Sequence, residues 1–445
     1  MAKLGFLDSV ETGRVRGWAF DDGNPQASAK VDICINGAVV ATVKCAEFRQ
    51  DLADARIGDG RHGFSYRLPQ LDGDLKVRFT GGGPVLNNGE CALPGIGYRL
   101  LASSVLARGL WSIDNLNLSD TEVAIEGWCV PPRALPVPVA ITHNGKPLHF
   151  TRTRRDDIAR MLGLVGDETR FGFQARSPLP KASAAHEFSF QHAGTLRPFD
   201  PHQTIHYIDS ATPLPPAALR KRVHGSEDAS SFVREGSTAF VRLQRVLEEY
   251  FSRSIADFSH VLDWGCGSGR VLRYFAGGAA KVTGIDIDPQ AIDWCRQALP
   301  LCEFVAVNPD PPVPLPAGTF DLIYAISVLT HLREADHIRW LEELHRISQP
   351  NAVILLTTFG DTGWWRGRLP WNLYAAWRVD HEGFYNAGPN KDIDETGVAD
   401  HDYYRNVFVS HDYISRNWSR HFDIVDILPG AIGNLQDLVI LRRPG

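Results

Sequence analysis

A chain of 445 residues is too long for one compact domain, and at roughly 100–200 residues per domain it predicts two to four. Its 44% hydrophobic and 22% charged residues exclude wholesale disorder. The balance of 46 Lys and Arg against 52 Asp and Glu, a net charge of −6, argues against a protein that grips nucleic acid through phosphates. The first residues, MAKLGFLDSVETG, carry no long apolar core or small-residue cleavage site, so no secretory signal is expected. No stretch approaches the ~18 apolar residues of a membrane-spanning helix. Seven scattered cysteines without a C-x-x-C pair predict a reduced, cytoplasmic protein with no structural zinc site.

The front of the chain repeats itself. Gly17-Trp18, Asn36-Gly37 and Gly63-Phe64 return in the same order as Gly127-Trp128, Asn144-Gly145 and Gly172-Phe173. Order and spacing are kept, as duplication would leave them. Val31, Ile33 and Ile35 alternate with polar or small residues, the pattern of a half-buried strand. The Asn-Gly that follows is a hairpin signal, and Val139 and Ile141 lead into the same turn in the second copy. A short helical piece, DLADARIG or DDIARMLG, precedes the last strand of each copy. Two small all-β sandwich domains are expected, at 1–100 and 101–208. The first copy resembles, and the second does so loosely, the β-sandwich modules marked by GWA and D-L-x-x-A-G-x-G-D-G-x-x-G-F that are found beside bacterial glycan-modifying enzymes. Trp18 and Trp128 would stack on a sugar ring or pack in a core, and the modules would bind a glycan, bind a partner protein, or position the remainder. Residues 209–220, DSATPLPPAALR, read as a Pro-rich linker.

From about residue 221 the pattern changes to strand–helix alternation. HVLDWGCGSGRV puts an apolar strand before a glycine turn, and an amphipathic helix is expected from Val271. The glycines at 265, 267 and 269 miss the G-x-G-x-x-G dinucleotide spacing, because Arg270 or Leu272 stands where the third is needed; no P-loop Gly-Lys-Ser/Thr follows either. The remaining pattern, Asp263-x-Gly265-x-Gly267-x-Gly269, resembles the first motif of the class I S-adenosylmethionine-dependent methyltransferases. That resemblance implies an α/β Rossmann-like domain with a seven-stranded, mostly parallel sheet over residues 221–445. It also implies S-adenosyl-L-methionine as cofactor, with Asp263, Gly265, Cys266, Gly267 and Gly269 around its amino-acid end. Asp286, at the carboxyl end of the next strand, is placed to grip ribose hydroxyls, with Ile287 beside it. The family's adenine-side residue corresponds to Asn308, after the third strand. FDLIYAISVLTHL (320–332) resembles the fourth strand and its exit in bacterial members; AVILLT (352–357) reads as the fifth strand, and 421–427 and 435–441 as a closing antiparallel pair.

Methyl transfer to oxygen gains from a base that removes a proton. His331, beyond strand four, and His411, in a segment resembling a recurring feature of the bacterial branch, are the catalytic candidates; helix capping is the plainer role for His331. The insertion at about 360–420 is crowded with aromatics (Trp364, Trp365, Trp371, Tyr374, Trp377, Phe384, Tyr385, Tyr403, Tyr404, Phe408), either an acceptor-stacking surface or a lid packed on the sheet. Asp361, His381, His401 and His411 show no metal-ligand spacing, so no metal is expected. Arg222, His224 and Gly225 stand where the family places a lid. The expected acceptor is a hydroxyl on a glycan or glycoconjugate. A small molecule, lipid or protein acceptor, or a cofactor-binding pseudoenzyme, are the alternatives.

Overall fold

A computed structural model describes residues 3–11, 14–69, 73–93, 105–107, 109–119, 121–132, 138–161, 170–178, 185–194, 197–200, 204–278, 280–367, 374, 377–378, 382–390 and 403–445. The chain forms two compact units: 1–104 with 154–171 and 370–374, and 105–153 with 172–369 and 375–445. Among the described residues no helix is long and apolar enough to cross a membrane.

The first unit is strand-rich. Strands β1 (Lys3–Glu11), β2 (Arg14–Asp21), β3 (Lys30–Ile35), β4 (Ala38–Lys44), β5 (Gly63–Arg67), β6 (Asp74–Phe79) and β7 (Val85–Ala92) hydrogen-bond in the order β4-β3-β6-β7-β1-β2-β5, with helix α1 (Gln50–Asp54) before β5. The sheet is continuous only through a parallel pairing at Phe6 and Asn87. Its two halves enclose one core, with Leu7, Val15 and Phe64 from one and Val31, Ile33, Leu75 and Val77 from the other.

The second copy lies within the second unit. Strands β8 (Leu110–Leu118), β9 (Glu122–Val130), β10 (Val139–His143), β11 (Lys146–Leu148), β12 (Phe150–Thr153), β13 (Gly172–Pro178), β14 (Ala185–His192) and β15 (Ile205–Ile208) form two four-stranded sheets, β11-β10-β14-β15 and β12-β13-β9-β8. Trp111, Ile125 and Phe173 from one sheet share a core with Ile141, Phe188 and Phe190 from the other. Helix α2 (Asp156–Met161) follows β12 and belongs to the first unit.

The repeated residues occupy equivalent registers. Trp18 pairs with Gly63 and Gly17 with Phe64, as Trp128 pairs with Gly172 and Gly127 with Phe173. Gly17 and Gly127 are glycine because a Cβ would meet a neighbouring strand's carbonyl oxygen, at 2.4 Å (Phe6) and 2.1 Å (Ser112). Both Asn-Gly turns are left-handed at both residues, and the Asn36 and Asn144 side chains accept the N–H of Asp74 and Glu187, each at 2.8 Å. Trp128 is buried and Trp18 half-buried.

The remainder of the second unit is an α/β sheet. Helices α3 (Ala217–His224) and α4 (Ala229–Phe251) precede β16 (His260–Trp264), followed by β17 (Lys281–Asp286), α5 (Pro289–Ala298), β18 (Glu303–Ala306), β19 (Phe320–Ala325), α6 (Glu334–Ile347), β20 (Ser348–Thr358), α7 (Asp361–Arg366), β21 (Phe384–Pro389), β22 (Arg405–Val409), α8 (His411–Asn417), β23 (Asp423–Ile432) and β24 (Gln436–Arg442). The order is β18-β17-β16-β19-β20-β24-β23, parallel except for the last two strands. Alternate residues of each strand face opposite layers. Leu262, Ile323 and Ile354 pack with Trp340 and Leu344 of α6, whereas Val261, Leu322 and Val353 pack with Leu243 and Val246 of α4 and Ile292 of α5.

Two expectations need correction. The helix expected from Val271 is a single 3-10 turn, Leu272–Tyr274, and Gly277 in the left-handed region with Gly278 behind it ends the apolar run too early for an α-helix. The insertion after β20 is not strandless: β21 and β22 pair antiparallel within it. The linker is also anchored, since the carbonyl of Pro213 accepts from Arg273 at 2.7 Å.

Candidate functional site

The strand-to-turn junction after β16 builds the floor of a cavity. Gly265 and Gly267 take φ of +77° and +51°; a Cβ on Gly265 would come within 2.3 Å of Val328, and one on Gly267 within 2.7 Å of Val223. The bare backbone lets β19's exit and α3 close over the turn and still leave a cavity. Asp263, Gly265, Cys266, Gly267, Asp286, Ile287 and His331 all line it, with Arg222, Arg270, Ser327, Tyr403 and Tyr404.

The two carboxylates set its electrostatics. Asp286 accepts the N–H of Gly267 at 2.7 Å and of Asp288 at 2.8 Å, which fixes the turn against β17. Burial raises its pKa and these bonds oppose the rise. Asp263 accepts the Tyr324 hydroxyl at 2.8 Å. Burial pushes its carboxyl up to about 7, the Tyr324 bond works against this, and the Asp286 charge adds to it. A buried acid, Asp263, and a half-buried one, Asp286, in one cavity suit a ligand with a cationic end and hydroxyls. S-adenosylmethionine has both, through its ammonium and sulfonium groups and its ribose. Arg222 bonds Asp288 and Gln290, each at 3.0 Å, so α3 is tied to the start of α5.

The other expected positions fall differently. Gly269 does not line the cavity; it is glycine because it stands at φ +78° and because a Cβ there would meet Leu299, just past α5, at 2.9 Å. Asn308 is exposed and outside the lining, and its neighbour Val307 lines the wall instead. The Cys266 thiol is buried, contacts the Gly267 carbonyl and is raised well above its usual pKa by burial, so it is inert. His224 accepts the Ser226 N–H and meets the Ser231 hydroxyl, away from the lining.

His331 joins the site and His411 does not. His331 Nδ1 bonds the Arg405 carbonyl at 2.9 Å. A carbonyl only accepts, so Nδ1 carries the proton and Nε2 keeps its lone pair. Burial lowers the His331 pKa, so the ring is neutral at pH 7. His411 Nε2 bonds the fully buried Asp437 at 2.7 Å and lines neither this cavity nor the second one described below. Burial alone would depress His411, but the Asp437 bond and charge override it and raise its pKa.

The insertion's aromatics are mostly core. Trp364 stacks on Trp377 at 4.8 Å, both buried, and Phe408 meets Trp364 at 5.0 Å. Among the described residues of the insertion, Tyr403 and Tyr404 reach the cavity. Trp371, His381 and His401 lie outside the described residues, and among the described residues no three His, Cys, Asp or Glu side chains gather as a metal cluster would. Val223, Arg270, Val307, Ser327 and Val328 escaped the sequence reading as site residues; Ser327 and Val328 stand within the quoted strand-four exit.

The Asp263 shift predicts that S-adenosylmethionine binds more tightly as pH rises toward about 7 and then levels off, because the cation selects the ionised carboxyl. Calorimetry in buffers of different ionisation enthalpy should register proton release below pH 7. A flat affinity without proton release would refute it. Without ligand the sign reverses for stability: a raised carboxyl favours the fold below about pH 4, and that contribution is lost as pH rises through about 7.

Comparison with known proteins agrees with this geometry. A family described as a methyltransferase domain matches residues 262–356. The chain is 30% identical over 128 residues to a malonyl-[acyl-carrier protein] O-methyltransferase of Enterobacter lignolyticus, covering 28% of this chain and 46% of that protein. It is 29% identical over 175 residues to a magnesium-protoporphyrin O-methyltransferase of Rhodobacter capsulatus, covering 37% of this chain and 74% of that one. The chain thus spans under half of the first relative. A solved SAM-dependent methyltransferase from Methanosarcina mazei matches at 24% identity and a TM-score of 0.33, over 45% of this chain and 96% of that one. Residues 262–356 are accordingly a methyltransferase domain, and its cofactor is S-adenosylmethionine.

Proposed function

We propose that the protein transfers the methyl group of S-adenosylmethionine to an oxygen of a hydroxyl-bearing acceptor, a glycan or glycoconjugate. The observation that carries oxygen as the acceptor atom is His331, a neutral imidazole with Nδ1–H fixed and Nε2 open, lining the same cavity as Asp263 and Asp286. The cofactor supplies an electrophilic methyl on a sulfonium. His331 takes the hydroxyl proton as the oxygen–methyl bond forms and the methyl–sulfur bond breaks. Both relatives named above are O-methyltransferases, which favours the same atom. The glycan follows from the resemblance of the front modules, whose strand-rich copies share registers. Trp128 does not offer its face to a sugar, because the Arg366 guanidinium lies 5.6 Å over it.

The test is incubation of the purified protein with methyl-labelled S-adenosylmethionine and separated polysaccharide, lipid, protein and small-molecule fractions of the source cell. Base-stable label in the polysaccharide is the expected result. Label only in another fraction would replace the glycan, and none in any fraction despite measurable cofactor binding would leave a binding protein.

A further inference from the structure

A second cavity adjoins the first. It measures about 280 Å³ against 170 Å³ for the cofactor cavity, and the two share Arg270, Ile326 and Ser327 as a common wall. Its far side is built by the second strand-rich segment through Trp111, Ser112 and Ile113 of β8. That segment is bonded to the α/β part at several points: the Trp111 carbonyl accepts from Asn434 at 3.2 Å, and the Leu116 carbonyl from Ser230 at 2.7 Å. The seam is therefore a fixed wall.

Two features of this cavity call for a ligand. The first is cationic. Arg234, Arg270 and Arg366 line it. Arg270 is spent on Glu235 at 2.8 Å, and Arg366 on the carbonyls of Gly433 and Asn434, each at 2.9 Å. The Arg234 guanidinium bonds no other described residue; Glu235, Asp228 and Asp114 act on it only through their charge. Half-buried and lining the cavity, it offers its donors to an anion there. The second feature is Gln436, buried with its Oε1 unbonded while its Nε2 donates to Ser327 Oγ. Turning the amide over would only exchange which polar end is left over. Ser327 sits at φ +65°, a strained position for a residue with a Cβ, on the wall between the two cavities.

We infer that this seam cavity is the acceptor site, and that the acceptor carries an anionic group, carboxylate or phosphate, for Arg234 and a polar hydroxyl region for Gln436. Anchored there, the acceptor presents a hydroxyl across Ser327 to the cofactor cavity and His331. The inference rests on the methyltransferase reading and narrows its substrate to acidic hydroxyl compounds.

The test uses the full chain saturated with S-adenosylhomocysteine and four probes: glucuronate, glucose 6-phosphate, glucose and inorganic phosphate. Binding is followed by calorimetry or saturation-transfer NMR. Glucuronate or glucose 6-phosphate should bind, glucose at least about tenfold more weakly, and whichever acid is preferred identifies the anion. Arg234→Gln should weaken the acidic probe about tenfold or more, Arg234→Lys should restore part of it, and neither should alter S-adenosylhomocysteine affinity, which also reports that the variants fold. Equal binding of glucose and the acids, binding of inorganic phosphate alone, or an acidic probe indifferent to Arg234→Gln would overturn the assignment while the cofactor site stands. Failure of S-adenosylhomocysteine to bind the unaltered protein would overturn both.

Discussion

Replacing His331 by asparagine is expected to slow label transfer to the acceptor fraction by about 10²–10⁴-fold with S-adenosylmethionine affinity unchanged. Asparagine, whose amide nitrogen stands where Nδ1 does, can still donate to the Arg405 carbonyl, so the loop keeps its anchor while the lone pair that accepts the proton is removed. The pH profile separates a base from a spacer. Burial lowers the His331 pKa below 6.5, so the unaltered enzyme should hold its rate as pH falls through 6.5 and lose it only lower down. That acid limb should vanish in the variant. His411→Ala provides the contrast: it leaves the buried Asp437 carboxylate with the Gly430 N–H as its remaining bonded partner among the described residues, and should lower Tm more than turnover. If His411→Ala brought the large kinetic loss and His331→Asn did not, the base would be His411.

Asp286→Ala should weaken S-adenosylmethionine binding by an order of magnitude or more, since a two-point contact from a carboxylate to ribose hydroxyls is worth about 2–3 kcal/mol. The structure adds a second cause. The same carboxylate holds the N–H groups of Gly267 and Asp288, so its removal also frees the glycine turn. Asp286→Asn retains the shape and one acceptor, and should fall between the two. Calorimetry alongside thermal melts tells the causes apart: affinity lost at unchanged Tm marks the ribose contact, and a parallel fall in Tm marks the turn. Unchanged affinity in Asp286→Ala would remove the residue from the cofactor site.

The seven strands of the α/β sheet were legible because each is a short apolar run between turn signals, and their carboxyl ends lead to Asp286 and His331. The paired landmarks of the front repeat were legible for a similar reason: close backbone approach and left-handed turns leave few residue types to choose from. Three things were not legible. An apolar run after Gly269 looks helical whether or not Gly277 and Gly278 stop it. A cluster of aromatics reads alike as platform or core until a partner such as Trp377 is seen stacked on Trp364. The seam cavity draws on residues from 111 to 436, and nothing local in the sequence brings Trp111 to Gln436.

The bonds that seat the second strand-rich segment decide what sort of appendage it is. A module swinging on a leash helps an enzyme by raising the local concentration of whatever it holds, and such help fades gradually as the leash lengthens. Here the Pro213 carbonyl is pinned by Arg273, and the Glu187 carboxylate by Arg245 at 3.1 Å, so there is little slack to lengthen. Selectivity then belongs to a rigid contour rather than to retention. Exchanging this segment for a homologue would recast which molecules fit, instead of merely changing how long they stay.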